Sequence, residues 1–176
     1  MGDNSGPPAL FHRMAPTANL RIERLTPDAD MVDTVADWTR AAWGHLNPEI
    51  TRAAWRIETC DNAGPAGVPS TFVAWLDGRP VGTASLVAHD MKTRTDLTPW
   101  LASVYVEPTA RGRGVASALV QRIENEARSA GLAHFYLYTP DQQRLYARLG
   151  WEPVEQAGYL GERVTIMKRQ LDARSA

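Results

Sequence analysis

The sequence predicts a single α/β domain with a mixed, mostly antiparallel central sheet flanked by helices, and three observations carry that prediction. Short β-branched and aromatic runs alternate with helical patterns of period 3.6 along most of the chain. Asp77-Gly78 sits between two apolar β runs, which is the turn chemistry of a hairpin. A strand, a glycine-rich turn and an amphipathic helix then follow one another from Trp100 to Ser129. At 176 residues the chain suits one core, since domains usually run to roughly 100–200 residues.

In order, "LRIERL" alternates apolar and charged residues as a half-buried strand does. Thr26-Pro27 is expected to open a first helix through Met31, Val35 and Trp38. Asn47-Pro48 is expected to open a second, with Asn as cap and Pro in the first turn, running toward Cys60. "DNAGPAGVPS" is a loop, "TFVAWLDGRPVGTASLVAHD" a hairpin, and "MKTRTDLTP" a polar loop before the strand "WLASVYV". From Gly114 the apolar positions Val115, Leu119, Ile123 and Ala127 recur every four residues, and Gly131 ends the helix as a C-cap does. "HFYLYT" is a strand and "DQQRLYARLG" a short helix. "WEPVEQ" and "RVTIMKRQL" form a closing pair of strands. The expected domain is 20–171, between a polar N-terminal tail, 1–19, and a short C-terminal tail, 172–176. The first tail lacks the long apolar core of a signal peptide, and Met14 is an alternative start.

Composition narrows the chemistry. Net charge is −1 with scattered basic residues, so no broad positive field predicts a nucleic-acid partner. No apolar run reaches the roughly 20 residues that span a bilayer, so no membrane partner is expected. Cys60 is the only cysteine, which excludes an internal disulfide and fits a reducing, cytoplasmic location. His12, His45, His89 and His134 never take the spacing of a zinc site, and no metal is expected.

The informative stretch is "VYVEPTARGRGVASALV", Val104 to Val120. A loop passing from strand to helix leaves the first helical N–H groups unpaired at the positive end of the helix dipole. Gly112 and Gly114 let a ligand approach the backbone, and Arg111 and Arg113 add charge, so the expected ligand is a phosphate or pyrophosphate. A Walker loop would need Gly-Lys-Ser/Thr, which is missing. A dinucleotide fingerprint would need a third glycine where Ser117 stands. Arg/Gln-x-x-Gly-x-Gly/Ala fits Arg111 to Ala116 at each fixed position.

With that loop, and with "RLYARLGW" (Arg144 to Trp151) standing where a Leu-Tyr-x-x-x-Gly-Phe element is expected, the sequence resembles the GNAT superfamily of acetyl-CoA-dependent N-acetyltransferases over roughly residues 20 to 170. The resemblance implies that Arg111, Gly112, Arg113, Gly114, Val115, Ala116 and Ser117 bind the pyrophosphate of acetyl-CoA. It implies that the strand edge Val104, Tyr105 and Val106 pairs with the pantetheine arm, and that the adjacent strand, Phe135 to Thr139, runs parallel and splays to admit the thioester. Asp141 takes the place of an Asn that contacts the pantetheine arm in many members. Tyr146 matches the tyrosine that protonates the departing thiolate.

The reaction explains those roles. An alkyl amine with a pKa of about 10.4 is almost all cationic at neutral pH and has no lone pair for attack, so a base must take a proton. The strand from Trp100 to Val106 carries no carboxylate, which leaves Glu107, His89, Asp90, Asp96 and His45 as candidate bases. Trp43, His45, Asp90, Asp96 and Trp100 are candidates for an aromatic and acidic acceptor pocket. The expected activity is direct transfer of acetyl, in a ternary complex, to a small-molecule primary amine. A peptide α-amine is one alternative, because "YTPDQQRLYARLGW" also resembles the corresponding part of the eukaryotic acetyltransferase that modifies actin's N-terminus. A non-catalytic acyl-CoA sensor is the other. Cys60 is expected to form no acyl-enzyme, and a monomer or homodimer is expected.

Overall fold

A computed structural model describes residues 19–171. The predicted tails lie outside the described residues, apart from Asn19, whose amide donates to Asp77 Oδ1 at 2.9 Å. The elements are β1 (Leu20–Arg24), α1 (Met31–Trp43), a 3₁₀ turn (Gly44–Leu46), α2 (Arg52–Asp61), β2 (Ser70–Leu76), β3 (Arg79–Val87) and β4 (Trp100–Val106). A second 3₁₀ turn (Pro108–Ala110), α3 (Val115–Ser129), β5 (His134–Thr139), α4 (Gln143–Arg148), β6 (Glu152–Tyr159) and β7 (Glu162–Gln170) complete the chain. Among the described residues the strands form one seven-stranded sheet in the order β1-β2-β3-β4-β5-β7-β6.

Local chemistry accounts for most of these elements. Asp77 and Gly78 take φ of 51° and 80°, the paired left-handed residues that a two-residue hairpin needs to follow the strand twist. Gly131, at φ 74°, follows α3 as its left-handed stop. Both early helices begin later than the sequence predicts. Thr26 to Asp30 form turns, and α1 starts at Met31. α2 starts at Arg52, because Thr51 rather than Asn47 adopts the extended cap conformation and its Oγ1 accepts from the Ala54 amide at 3.1 Å. Pro27 and Pro48 therefore belong to the turns that lead into the helices.

Neighbouring strands pair antiparallel everywhere except β4 and β5, which meet in parallel only at Trp100↔Tyr136. The Tyr136 amide donates to Pro99 O at 2.9 Å, and beyond that point no pair joins the two strands. On its other edge β4 is bulged against β3, where the register shifts between Thr83 and Ser85 and Ser103 takes φ 54°. A non-glycine residue at positive φ is uncommon, and here it marks the point where β4 turns away from regular pairing.

α3 covers one face of the sheet, burying Val115, Leu119 and Ile123 against Phe72, Ala84, Val106 and Phe135. It lies so close to β3 that a Cβ at Gly82 would come within 2.6 Å of Tyr105 O and 3.3 Å of Leu119 Cδ1. The helix also buries two carboxylates. Glu126 meets Arg24 at 2.7 Å, Arg122 at 3.0 Å and the Gly67 amide at 2.8 Å. Burial pushes its carboxyl up, but these partners outweigh that and hold it below the usual range. Glu124 pairs with Arg169 of β7, so both charges are partnered rather than orphaned. On the other face Trp100, Tyr136, Tyr159 and Ile166 form a second cluster, and α1 closes a third over Val73.

Candidate active site

The turn between β4 and α3 presents backbone donors. Gly112 and Gly114 take φ of 73° and 78°, and a Cβ at either would meet nothing within 4 Å, so conformation rather than space calls for glycine. Among the described residues the amides from Gly112 to Ser117 donate to no acceptor. They stand at the N-terminus of a 15-residue helix, where the dipole favours an anion. Arg111 is anchored by its Nε, which donates to Val106 O at 3.0 Å. Arg113 has only a long, exposed contact of 3.8 Å to Asp77, and such a pair is worth little.

Where β4 and β5 diverge the structure holds a cavity of about 380 Å³. From β4, β5 and α4 it is lined by Ser103, Val104, Tyr138, Thr139 and Tyr146, with Asp141 and Gln142 between β5 and α4. From α1, α2 and the strands beneath them come Trp43, Trp55, Glu58, Thr59, Thr71 and Ser85. The loop after β3 adds Asp90 and Lys92.

Tyr146 is 7% exposed and packs edge-on to Trp151, with ring centroids 6.0 Å apart. The residue lines the cavity. Burial, helped by the Asp141 carboxylate, pushes its hydroxyl up to about 12, so at neutral pH it keeps its proton and can donate. Asp90 is pushed up from 3.8 to about 7, first by burial and then by the Glu58 carboxylate. A carboxyl poised near neutrality serves general-base chemistry well. Tyr138, raised by burial and then by Asp90, stacks edge-on to Tyr159 at 5.3 Å and stays a neutral donor. One cavity thus holds a group that can take a proton and a group that can give one, and β4, which lines it, leads into the turn of unpaired amides.

The model of the acetyltransferase (GNAT) family matches residues 31–151. This chain belongs to the GNAT acetyltransferase family. Solved structures agree in fold. An aminoglycoside 6′-N-acetyltransferase complexed with coenzyme A aligns at TM-score 0.69 and 17% identity, over 89% of this chain and 99% of that one. The yncA protein of Salmonella typhimurium, solved with its cofactor acetyl-CoA, aligns at TM-score 0.64 and 20% identity, over 89% and 96%. A GNAT-family acetyltransferase of Streptococcus pneumoniae aligns at 0.66 and 19%, over 88% and 100%. Comparison with curated proteins finds no match.

Within this GNAT fold the residues singled out from sequence divide into two groups. Val104, Asp141, Tyr146, Trp43 and Asp90 line the cavity. His45 and His89 are exposed and do not line it. Asp96 is exposed and paired with Arg94 at 3.0 Å, which holds its carboxyl below the usual range. Trp100 is fully buried in the core, its indole N–H donating to Leu97 O at 2.8 Å. Glu107 leads into the 3₁₀ turn away from the cavity, and Tyr105 packs on Trp38 at 5.6 Å. Cys60 lies outside the cavity lining as well. Among the described residues no group of His, Cys, Asp or Glu could hold a metal, and no helix is long and apolar enough to cross a membrane.

Glu58, Tyr138, Tyr159 and Ser85 were not singled out from the sequence. A signal existed for two of them. Trp55, Glu58, Thr59 and Asn62 follow the i, i+3, i+4, i+7 spacing of one helix face, and Tyr138 shares a strand face with Tyr136.

Proposed function

We propose that this GNAT member transfers acetyl from acetyl-CoA to a primary amine of a small molecule, by direct attack in a ternary complex. The observation that carries this reading is the cavity itself. It opens where β4 and β5 part, on the strand that leads into a turn of unpaired amides, and Asp90 and Tyr146 both line it.

The residues fit coenzyme A chemistry. The amides of Gly112 to Ser117, with Arg111 and Arg113, would hold the pyrophosphate. The free edge of β4 from Val104 to Val106 would take the amides of the pantetheine arm, with Asp141 at its far side. Acetyl-CoA, when bound, supplies an activated thioester. Asp90 takes a proton from the acceptor ammonium, directly or through water, and the freed lone pair attacks the acetyl carbon. A backbone N–H of Ser103 to Val106 stabilises the charge that grows on the acetyl oxygen. As the new C–N bond forms and the C–S bond breaks, Tyr146 gives its proton to the leaving sulfur. The phenolate is reprotonated, directly or through water, by the second proton that the nitrogen sheds as the amide forms, and the proton on Asp90 returns to solvent. Of the candidate bases, Asp90 is favoured because it alone combines a place in the cavity with a carboxyl raised toward neutrality.

A small acceptor is favoured over a peptide because the cavity is about 380 Å³, must also admit the end of the pantetheine arm, and is bounded by α1 and α2. The single cysteine fits a cytoplasmic setting. Thiol release from acetyl-CoA across a panel of small amines and short peptides tests the reading. Release with small amines, lowered at least a hundredfold in Tyr146→Phe while acetyl-CoA binding persists, is the expected result. Turnover that survives that variant would remove the acid role.

A further inference from the structure

The lobe of the cavity between α2 and β3 has a one-sided hydrogen-bond chemistry. Thr71 Oγ1 lies 3.0 Å from Asn62 O, and a carbonyl can only accept, so the Thr71 proton is spent there. In the 2.8 Å contact between Thr71 and Ser85 the donor must therefore be Ser85. Ser85 is 6% exposed, lines the cavity and retains unused lone pairs. Thr59, 9% exposed, donates to Trp55 O at 2.9 Å and is left in the same condition. The Trp55 indole N–H is spent on Thr39 Oγ1 at 2.8 Å, and the Thr39 proton goes to Val35 O.

Two carboxylates, Glu58 and Asp90, complete this wall. Two donors also reach the cavity: the Asn62 amide can turn its oxygen inward, and the Tyr138 hydroxyl stands beside Asp90, whose carboxyl can accept from it. Lys92, the cation lining the cavity, is exposed, and its backbone amide donates to Tyr159 OH at 3.2 Å. A ligand that fills this lobe must bring hydrogen-bond donors, because buried acceptors left without donors are costly.

Resting on the acetyl-transfer reading above, we infer that the acceptor is a diamine or polyamine whose second ammonium sits in this lobe on Glu58, Ser85 and Thr59 while the first is acetylated at Asp90. The second cation replaces water against a carboxylate and two buried hydroxyl oxygens, and contacts to a charged group of this kind change affinity about ten- to a hundredfold.

The experiment compares linear α,ω-diamines of increasing length with n-alkylamines of matching length, in wild type, Glu58→Gln and Ser85→Ala. Glu58 is exposed, so its amide variant keeps the fold. The expected result is kcat/KM at least tenfold higher for the diamine of best length than for its monoamine. Compared at pH 8.5, where Asp90 is ionised with or without the Glu58 charge beside it, Glu58→Gln raises the diamine KM about tenfold or more and lowers the diamine-to-monoamine ratio of kcat/KM by the same factor. Equal turnover of both series, or equal loss on both in Glu58→Gln, would overturn the inference. Should no amine be acetylated, calorimetry with the same diamine on the protein saturated with coenzyme A decides separately. Binding weakened tenfold in Glu58→Gln supports the subsite, and binding that is missing or indifferent to the variant overturns it.

Discussion

Replacing Asp90 by asparagine separates its catalytic cost from its structural cost. In wild type the carboxyl titrates near 7 because burial, and then the Glu58 charge, disfavour its ionised form. The Glu58 carboxylate of α2 acts on it through its charge and Tyr138 of β5 is coupled to it, while Lys92, Tyr159 and Glu162 line the same cavity. If Asp90 is the base, kcat/KM rises with pH through a limb centred near 7 and then levels. At pH 7 an amine with a pKa of about 10.4 is neutral in only about one molecule in a few thousand, so losing the base costs about 10²–10⁴-fold there. In the variant the limb near 7 disappears, and residual activity climbs toward the amine's own pKa.

Stability moves the other way. The folded carboxyl binds its proton more tightly than the unfolded one, so stability is lost as pH rises from 3.8 to about 7 and stays lost above. That interval bounds the cost at about 4 kcal/mol, and exposure to cavity water lowers it to about 1 kcal/mol. Asp90→Asn should therefore melt about 2–4 °C higher than wild type at pH 8.5, and level with it at pH 3.5. A pH–rate profile on a simple amine and calorimetric melting at two pH values read both effects. A variant that keeps the limb near 7, or that melts lower at pH 8.5, would refute the reasoning.

Three further outcomes follow from the geometry. Tyr146→Phe should lower kcat about 10²–10⁴-fold with the Kd for acetyl-CoA within about twofold, measured by stopped thiol release and calorimetry. Gly114→Ala must hold a Cβ at φ 78° and should weaken acetyl-CoA binding, while Gly114→Glu, which adds a negative charge at the anion site, should abolish binding, both variants melting about 2–8 °C lower from the same backbone strain. Gly82→Ala places a Cβ 2.6 Å from a backbone oxygen that cannot swing away, so it should cost about 2–3 kcal/mol and lower the melting temperature by roughly 5–10 °C.

The parts of the molecule that depend on neighbouring residues were legible before the structure. Asp77-Gly78 dictates its own turn, and the run from Val104 to Val120 carries strand, glycine turn and helix start within one stretch. The helix starts were less legible because Asn47 and Thr51 both make good caps, and choosing between them depends on how the turn after α1 packs. The rest of the proposed acceptor lobe was hidden for another reason. Asp90 was named from its polar loop, but Glu58, Ser85 and Tyr138 come from α2, β3 and β5, and only the strand order brings them into the cavity with it. Trp100 misled because a tryptophan beside a polar loop reads as a pocket wall, whereas it starts a central strand and is buried.

The most direct test is to mix wild-type protein, acetyl-CoA and an alkyl diamine, follow thiol release, and identify the amine product by mass spectrometry. One acetylated amine for each thiol released is the predicted result. Acetyl-CoA that binds but releases no thiol with any amine, or thiol released with no acetylated amine formed, would contradict transfer through Asp90 and Tyr146.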